Sequence, residues 1–389
     1  MKRTILIIIL ALAIGATVLL AGDGVVSQGF VPLSFSRAIT FDSPLLYPSW
    51  LAAGDLAPAG FPSIAVVSPD NTETPLEYAL GKGNGHFRAW RNNDNVGNAP
   101  GFVLLADVYG DGNLDAITTD VGGNDLFVAS GDGKGHLYGG KRLLVGGVEA
   151  TFIAALGDLN GDGIPDIVGT TDSGIFVILG KGDRKFAKAV TFSSGGQNPY
   201  GIAVGDLNHD GIPDLVVANN GQYSGNHGSV AVLLGRGNGT FSKPVHYLSG
   251  ARPSELVLGD FNGDGNLDMA VVGEAERVHA LMGKGDGTFS SPKSYRAGLA
   301  PHAIAAADFN GDGKLDLAVA AANVSILLGN GDGTFQLPIG LPADGHHPTQ
   351  LTLADFNHDG KPDIATVNGD STISIFLNTT RFAPTPHIH

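Results

Sequence analysis

Beyond Ala21 the apolar residues fall in short runs bounded by Gly, Pro, Asn or Asp, and no stretch carries a helical period. One run follows a proline and is rich in small residues, as in Gly201-Ile-Ala-Val-Gly205 and Ala303-Ile-Ala-Ala-Ala307. The next follows an acidic turn, as in Ile167-Val-Gly169, Leu215-Val-Val-Ala218 and Leu317-Ala-Val-Ala320. A third ends in glycine: Gly174-Ile-Phe-Val-Ile-Leu-Gly180, Ser229-Val-Ala-Val-Leu-Leu-Gly235, Val324-Ser-Ile-Leu-Leu-Gly329. A Gly-rich hairpin then leads through a Phe into a more polar fourth run such as Phe241-Ser-Lys-Pro-Val-His-Tyr-Leu248. Short β-branched runs between turn residues predict buried strands. Gly in the hairpins supplies positive φ, and the Pro of the fourth run fits an edge strand.

This four-run unit recurs. Its acidic turn begins at residues 55, 107, 158, 206, 260, 308 and 355. Seven residues earlier stand Pro48, Pro100, Pro199, Pro253, Pro301 and Pro348, with Thr151 in the third copy. A period near 50 residues with four antiparallel strands per unit predicts an all-β fold, a seven-bladed β-propeller of four-stranded antiparallel blades over about residues 30–382. The last unit stops after its third run, Ile373-Ser-Ile-Phe-Leu377, while Phe35-Ser-Arg-Ala-Ile-Thr-Phe41 has the form of a fourth. The N-terminal strand is therefore expected to complete the last blade and close the ring, which removes open sheet edges.

The ends and the charge refine this picture. Met1-Lys2-Arg3 precedes an apolar stretch from Thr4 to Ala21, so residues 1–24 read as a signal peptide or an N-terminal membrane anchor. Either implies export (secreted, periplasmic or cell-surface), with membrane contact only through this segment if it is retained. Residues 383–389 read as a C-terminal tail. With no Cys, disulfides and thiolate chemistry are excluded. The net charge is −15, and 18 of the 38 acids sit in the turns at 107, 158, 206, 260, 308 and 355, so the excess reflects ligand chemistry and speaks against nucleic acid as a partner.

Five turns share one donor pattern. Positions 1, 3, 5 and 9 are Asp158, Asn160, Asp162 and Asp166; Asp206, Asn208, Asp210 and Asp214; Asp260, Asn262, Asp264 and Asp268; Asp308, Asn310, Asp312 and Asp316; and Asp355, Asn357, Asp359 and Asp363. Position 6 is always Gly. Position 7 varies (Ile164, Ile212, Asn266, Lys314, Lys361), which suits a backbone carbonyl role. Alternating oxygen donors on a sharply turned chain, with no His or Cys, select a hard cation, and we expect about five calcium ions. Magnesium or manganese is a lesser fit, as is a metal-free hairpin held by side-chain-to-backbone bonds. The loop has no acid at position 12, so it is not an EF-hand. The copy at Asp107 keeps Asp111, Asn113 and Asp115 but has Tyr109 at position 3, so weak or no occupancy is expected. The copy at Asp55 has Ala57, Ala59 and Ser63 in ligand positions and is expected to be metal-free.

These loops, with the Leu-Leu-Gly-x-Gly-x-Gly-x-Phe hairpin and the period, resemble the FG-GAP/VCBS repeat family, including the calcium-loop blades of integrin α-subunits. The resemblance implies a seven-bladed propeller with calcium between the first and second strands, held at the five intact loops. The literal Phe-Gly and Gly-Ala-Pro elements are poorly kept, so the bacterial-type variant is closer. Family members serve in adhesion, in sugar binding and as accessory domains of exported enzymes. The expectation is a calcium-binding, non-catalytic scaffold for a protein or carbohydrate ligand. It would be held opposite the metal loops by Tyr200 and by Tyr223, Asn226 and His227 of the most elaborate loop. Alternatives are a lectin with inter-blade pockets and a polysaccharide-active enzyme. The residues after each proline (Ser49, Gly101, Tyr200, Ser254, His302, Thr349) do not repeat, which weakens the lectin. For the enzyme the only clusters are Glu274, Glu276 and Arg277, and His346 and His347. Trp50 and Trp90 read as packing residues, His86 and His136 as turn residues.

Overall fold

The runs of small residues after each proline let neighbouring backbones approach closely. At Gly201 a Cβ would lie 2.5 Å from the carbonyl oxygen of Ser254 in the next repeat. In the computed structural model the first strands of the seven repeats touch in a closed circuit, the last returning to the first. They are Trp50–Gly54, Pro100–Ala106, Thr151–Gly157, Pro199–Gly205, Pro253–Gly259, Ala303–Ala307 and Pro348–Ala354. The structure describes residues 33–382 apart from 58–59, 71–74, 121–124, 146–150, 222–227, 248–251, 274–275 and 342–345. The expected leader and tail lie outside them, as do Ala59, Tyr223, Asn226, His227 and Glu274.

Each first strand opens a four-stranded antiparallel sheet, and there are seven such sheets and no helix among the described residues. The chain is a seven-bladed β-propeller. Second strands such as Asp214–Asn219 and Asp363–Asn368 are buried along their whole length, as continuous apolar runs require when both faces are covered. The ring closes as expected. Ile39–Asp42 pairs antiparallel with Thr372–Phe376, placing the N-terminal strand at the outer edge of the last blade.

Apart from Leu137–Leu144 in the second blade, the fourth strands are shorter than the sequence suggested. Phe241 makes only an isolated bridge to Gly235, and regular pairing resumes at Val245–Tyr247 after Pro244, which has no N–H to donate. The isolated Phe has a second use. Phe335 packs on Phe261 of the preceding blade at 5.4 Å between ring centroids, Phe87 on Phe356 at 5.8 Å, and Phe35 on Phe309 at 6.0 Å. Rings at this spacing bolt each blade to the one before it, each buried ring contributing about 2–3 kcal/mol. The buried apolar clusters likewise span neighbouring blades, including the one that joins Phe356 and Ile373 of the last blade to Leu51 and Ile64 of the first.

Candidate metal loops and an axial cavity

The acidic turns join first to second strands, so all of them lie on one face of the ring. Position 6 demands a left-handed residue in every intact copy: Gly163, Gly211, Gly265, Gly313 and Gly360 have φ between 78° and 85°. The position 1 carboxylate accepts backbone N–H groups from inside the turn. Asp158 takes those of Gly161 at 2.8 Å, Asp162 at 3.1 Å and Gly163 at 2.8 Å. Asn160 accepts from the N–H of Asp162, and Asp162 accepts from that of Ile164. The scheme repeats from Asp206, Asp260, Asp308 and Asp355.

Position 9 does something the sequence pattern did not reveal. Asp166 opens the second strand, wholly buried, and accepts the N–H of Leu159 at 2.8 Å and that of Gly180, just beyond the third strand, at 2.7 Å. Asp214, Asp268 and Asp316 do the same with Gly235, Gly283 and Gly329, and Asp363 with Asn378. This carboxylate staples the segments just beyond the first and third strands to the start of the second. Asp115 of the degraded copy does so too, through Val108 and Gly131, which explains an Asp there independently of any ion.

Among the described residues, no three His, Asp or Glu side chains are gathered into a ready cage. The donor set still fits a hard cation. Every donor is oxygen, and a carboxylate has about four acceptor positions, of which position 9 uses two on N–H groups. The electrostatics ask for positive charge: burial first, then the carboxylates of positions 5 and 1, push Asp166, Asp214 and Asp268 up to about 6. Burial and the same loop neighbours push Asp316 and Asp363 up to about 7.

The degraded loop has its own cation. The Arg184 guanidinium donates to Asp111 at 2.7 Å and lies 4.9 Å from the centre of the Tyr109 ring. Bonding to Arg184 holds the Asp111 carboxyl below its ordinary value. Arg184 occupies the hairpin position where other blades have Gly239, Gly287 or Gly333, and it adopts φ 57°. That hairpin reaches back to the preceding blade, as Gly239 does in donating to Leu159. Replacing Arg184 by Ala should therefore lower stability by about 0.5–1 kcal/mol, equally in calcium and in chelator, as read by denaturant unfolding. At the Asp55 copy, Asp55 accepts the N–H of Ala57, and no intact donor set is present.

The opposite face holds a cavity of about 460 Å³ on the ring axis. The residues after the prolines, dissimilar in sequence, meet here: Ser49, Tyr200, Ser254, His302 and Thr349 all line it. Trp50 also lines it while packing edge-on against Phe102 at 4.9 Å, whereas Trp90 only packs near Phe41. Deeper stand Glu255 and Gln350, 95 residues apart in sequence and joined by a bond from Gln350 Nε2 to Glu255 Oε1. Of the polar clusters weighed for catalysis, none of the described members lines it, although His347 stands at its rim. Arg277 opens a third strand just after Glu276, and His346 pairs with Asp370. A second cavity of about 410 Å³ lies between the first two blades, lined by Asn95, Asn98, Asp120, Phe127 and Arg142 among others.

Compared with known proteins, the sequence matches the FG-GAP-like repeat over residues 107–168, 158–217, 222–271, 260–319 and 317–366, more than half of the chain. No curated protein matches it. Among solved structures it is similar to a lectin of Agrocybe aegerita described for specific recognition of non-reducing terminal N-acetylglucosamine. The identity is 21% and the TM-score 0.55, over 82% of this chain and 85% of that one. It is also similar to BBS1N, solved in complex with ARL6DN, at 15% identity and a TM-score of 0.59, over 88% of this chain and 96% of that one. Identities this low speak for a shared fold alone.

Proposed function

This chain belongs to the FG-GAP-like repeat family, and from that membership we propose that it is an exported, calcium-braced, non-catalytic scaffold that binds a protein or carbohydrate ligand. One observation carries the reading: the two faces of the ring differ in kind. One repeats a single oxygen-donor loop. The other gathers unlike side chains, with Leu46 69%, Tyr47 65% and Leu299 60% exposed around it. Exposed apolar side chains beside a polar-lined cavity suit an interaction surface.

At the intact loops the ion would be held by the side chains of positions 1, 3, 5 and 9 and the carbonyl of position 7. Bound calcium supplies positive charge among the carboxylates, while the chain's own N–H groups keep those carboxylates aimed into the turn. Because hairpins cap the loops of the preceding blade, each ion would brace a joint between blades. Calorimetric titration should give about five ions per chain. Asp312→Ala should remove one ion and leave the fold intact; zero or one ion on the parent protein rejects the reading. A glycan array and a pull-down, each with and without calcium, test the ligand class.

The second cavity, where amides and an aromatic ring meet between blades, favours a sugar-binding variant of the same reading. It would bind glycan there without needing a motif repeated in every blade.

A further inference from the structure

The axial cavity is built. Residues from five blades line it, and the backbone at its rim is held in an uncommon conformation. Tyr47, Asn198, Arg252, Ala300 and His347, each just before a first-strand proline, have φ between 46° and 49°. A non-glycine residue in the left-handed region persists only where surroundings impose it, and such positions gather at functional sites. Ala303, standing between the strands of Glu255 and Gln350, is small enough to let those two side chains meet across a whole blade.

Glu255 is 9% exposed, and its bonding partners are the Gln350 amide and the Ile304 N–H. The Gln350 oxygen in turn accepts the N–H of Leu351, which fixes the amide with its NH₂ toward Glu255. Among the described residues no Lys or Arg lines the cavity, and Arg252 at the rim is bonded to Asn220. His302, also at the rim, is exposed. The chamber thus offers one carboxylate at depth, aromatic walls from Trp50, Tyr200 and Tyr47, and hydroxyl and amide groups between. Aromatic faces around a buried anion complement a cation with an apolar stem. The net charge of −15 adds an attractive field for positive ligands.

We propose that the axial cavity binds a protonated primary amine, with the ammonium group on Glu255 and its carbon body against Trp50 and Tyr200. This deepens the scaffold reading on which it rests, by naming the site and the ligand chemistry. A lysine side chain of a partner protein and an amino sugar both present that chemistry.

The test is calorimetric titration of the full chain in calcium with two amines, Nα-acetyl-lysine methylamide and glucosamine. Their uncharged counterparts are Nα,Nε-diacetyl-lysine methylamide and N-acetylglucosamine. At least one amine should bind one to one with a Kd near or below about 1 mM, and its acetylated form roughly tenfold more weakly. Whichever amine binds identifies the source. Glu255→Gln should weaken amine binding roughly tenfold. His302→Trp, a change at an exposed rim position, should block the mouth without disturbing the fold. Equal affinity for amine and acetylated forms, or an amine affinity untouched by either variant, overturns the proposal. So does silence from all four compounds. If silence here accompanies hits on the glycan array or in the pull-down, the scaffold reading stands and only the axial site falls.

Discussion

Stripping divalent ions with excess chelator is expected to lower the melting midpoint of this protein by on the order of 10 °C or more. The size follows from mass action. At about 1 mM calcium and a dissociation constant of about 10–100 μM, each loop gains about 1–3 kcal/mol. Five loops lie at five joints of one ring, so their effects accumulate in a single cooperative transition. The sign follows from the electrostatics. Without an ion, each loop keeps a buried position 9 carboxylate beside two others, and burial and those neighbours already raise it to about 6 or 7. A divalent ion converts that repulsion to attraction. Differential scanning calorimetry in chelator and in stepped calcium measures the shift. Identical midpoints throughout would leave the loops as hairpins held by their own N–H bonds, and the calcium assignment would be lost.

The second large effect concerns Glu255. Burial pushes its carboxyl up to about 7, against the opposing pull of the Gln350 amide and the Ile304 N–H. An acid whose folded pKa lies above its unfolded value is well tolerated at low pH. Stability is then lost as pH rises from the unfolded value, near 4.5, through about 7. Glu255→Gln retains the shape and removes the charge. The variant should be more stable than the parent by about 1–3 kcal/mol at pH 8, and the gap should narrow at pH 5. Urea unfolding at the two pH values reads this directly. A variant no more stable at pH 8 would mean that the carboxylate is comfortable in the cavity without a ligand. Higher stability together with weaker amine binding would identify Glu255 as a residue that serves recognition at the expense of the fold.

Much of this architecture was legible in the sequence because it is written in repetition. Seven acidic turns, six aligned prolines and a missing fourth run after Phe376 were enough to place the blades and the strand that seals the ring. The donor loops were legible for the same reason. The axial cavity was not, because it depends on difference. Ser49, Tyr200, Ser254, His302 and Thr349 share a register but no chemistry, and only the circular arrangement brings them together. Glu255 and Gln350 meet across a blade, a contact with no local signature. The staple made by each position 9 Asp was hidden because its distant partner is a backbone N–H, which side-chain spacing does not show. Arg184 was visible only as a departure from glycine in a hairpin; its pairing with Asp111 needed the geometry that sets that hairpin over the preceding loop.

The pairing of Ile39–Asp42 with Thr372–Phe376 also fixes an order of events. On a ribosome the segment made early has no berth until one made some 330 residues later arrives. Six blades can mature one after another in the meantime, while Ile39–Asp42 stays unpaired until Thr372–Phe376 is made. A chain truncated before Thr372 leaves Ile39–Asp42 without its partner, so unfinished copies present an adhesive margin to proteases and chaperones that completed ones conceal.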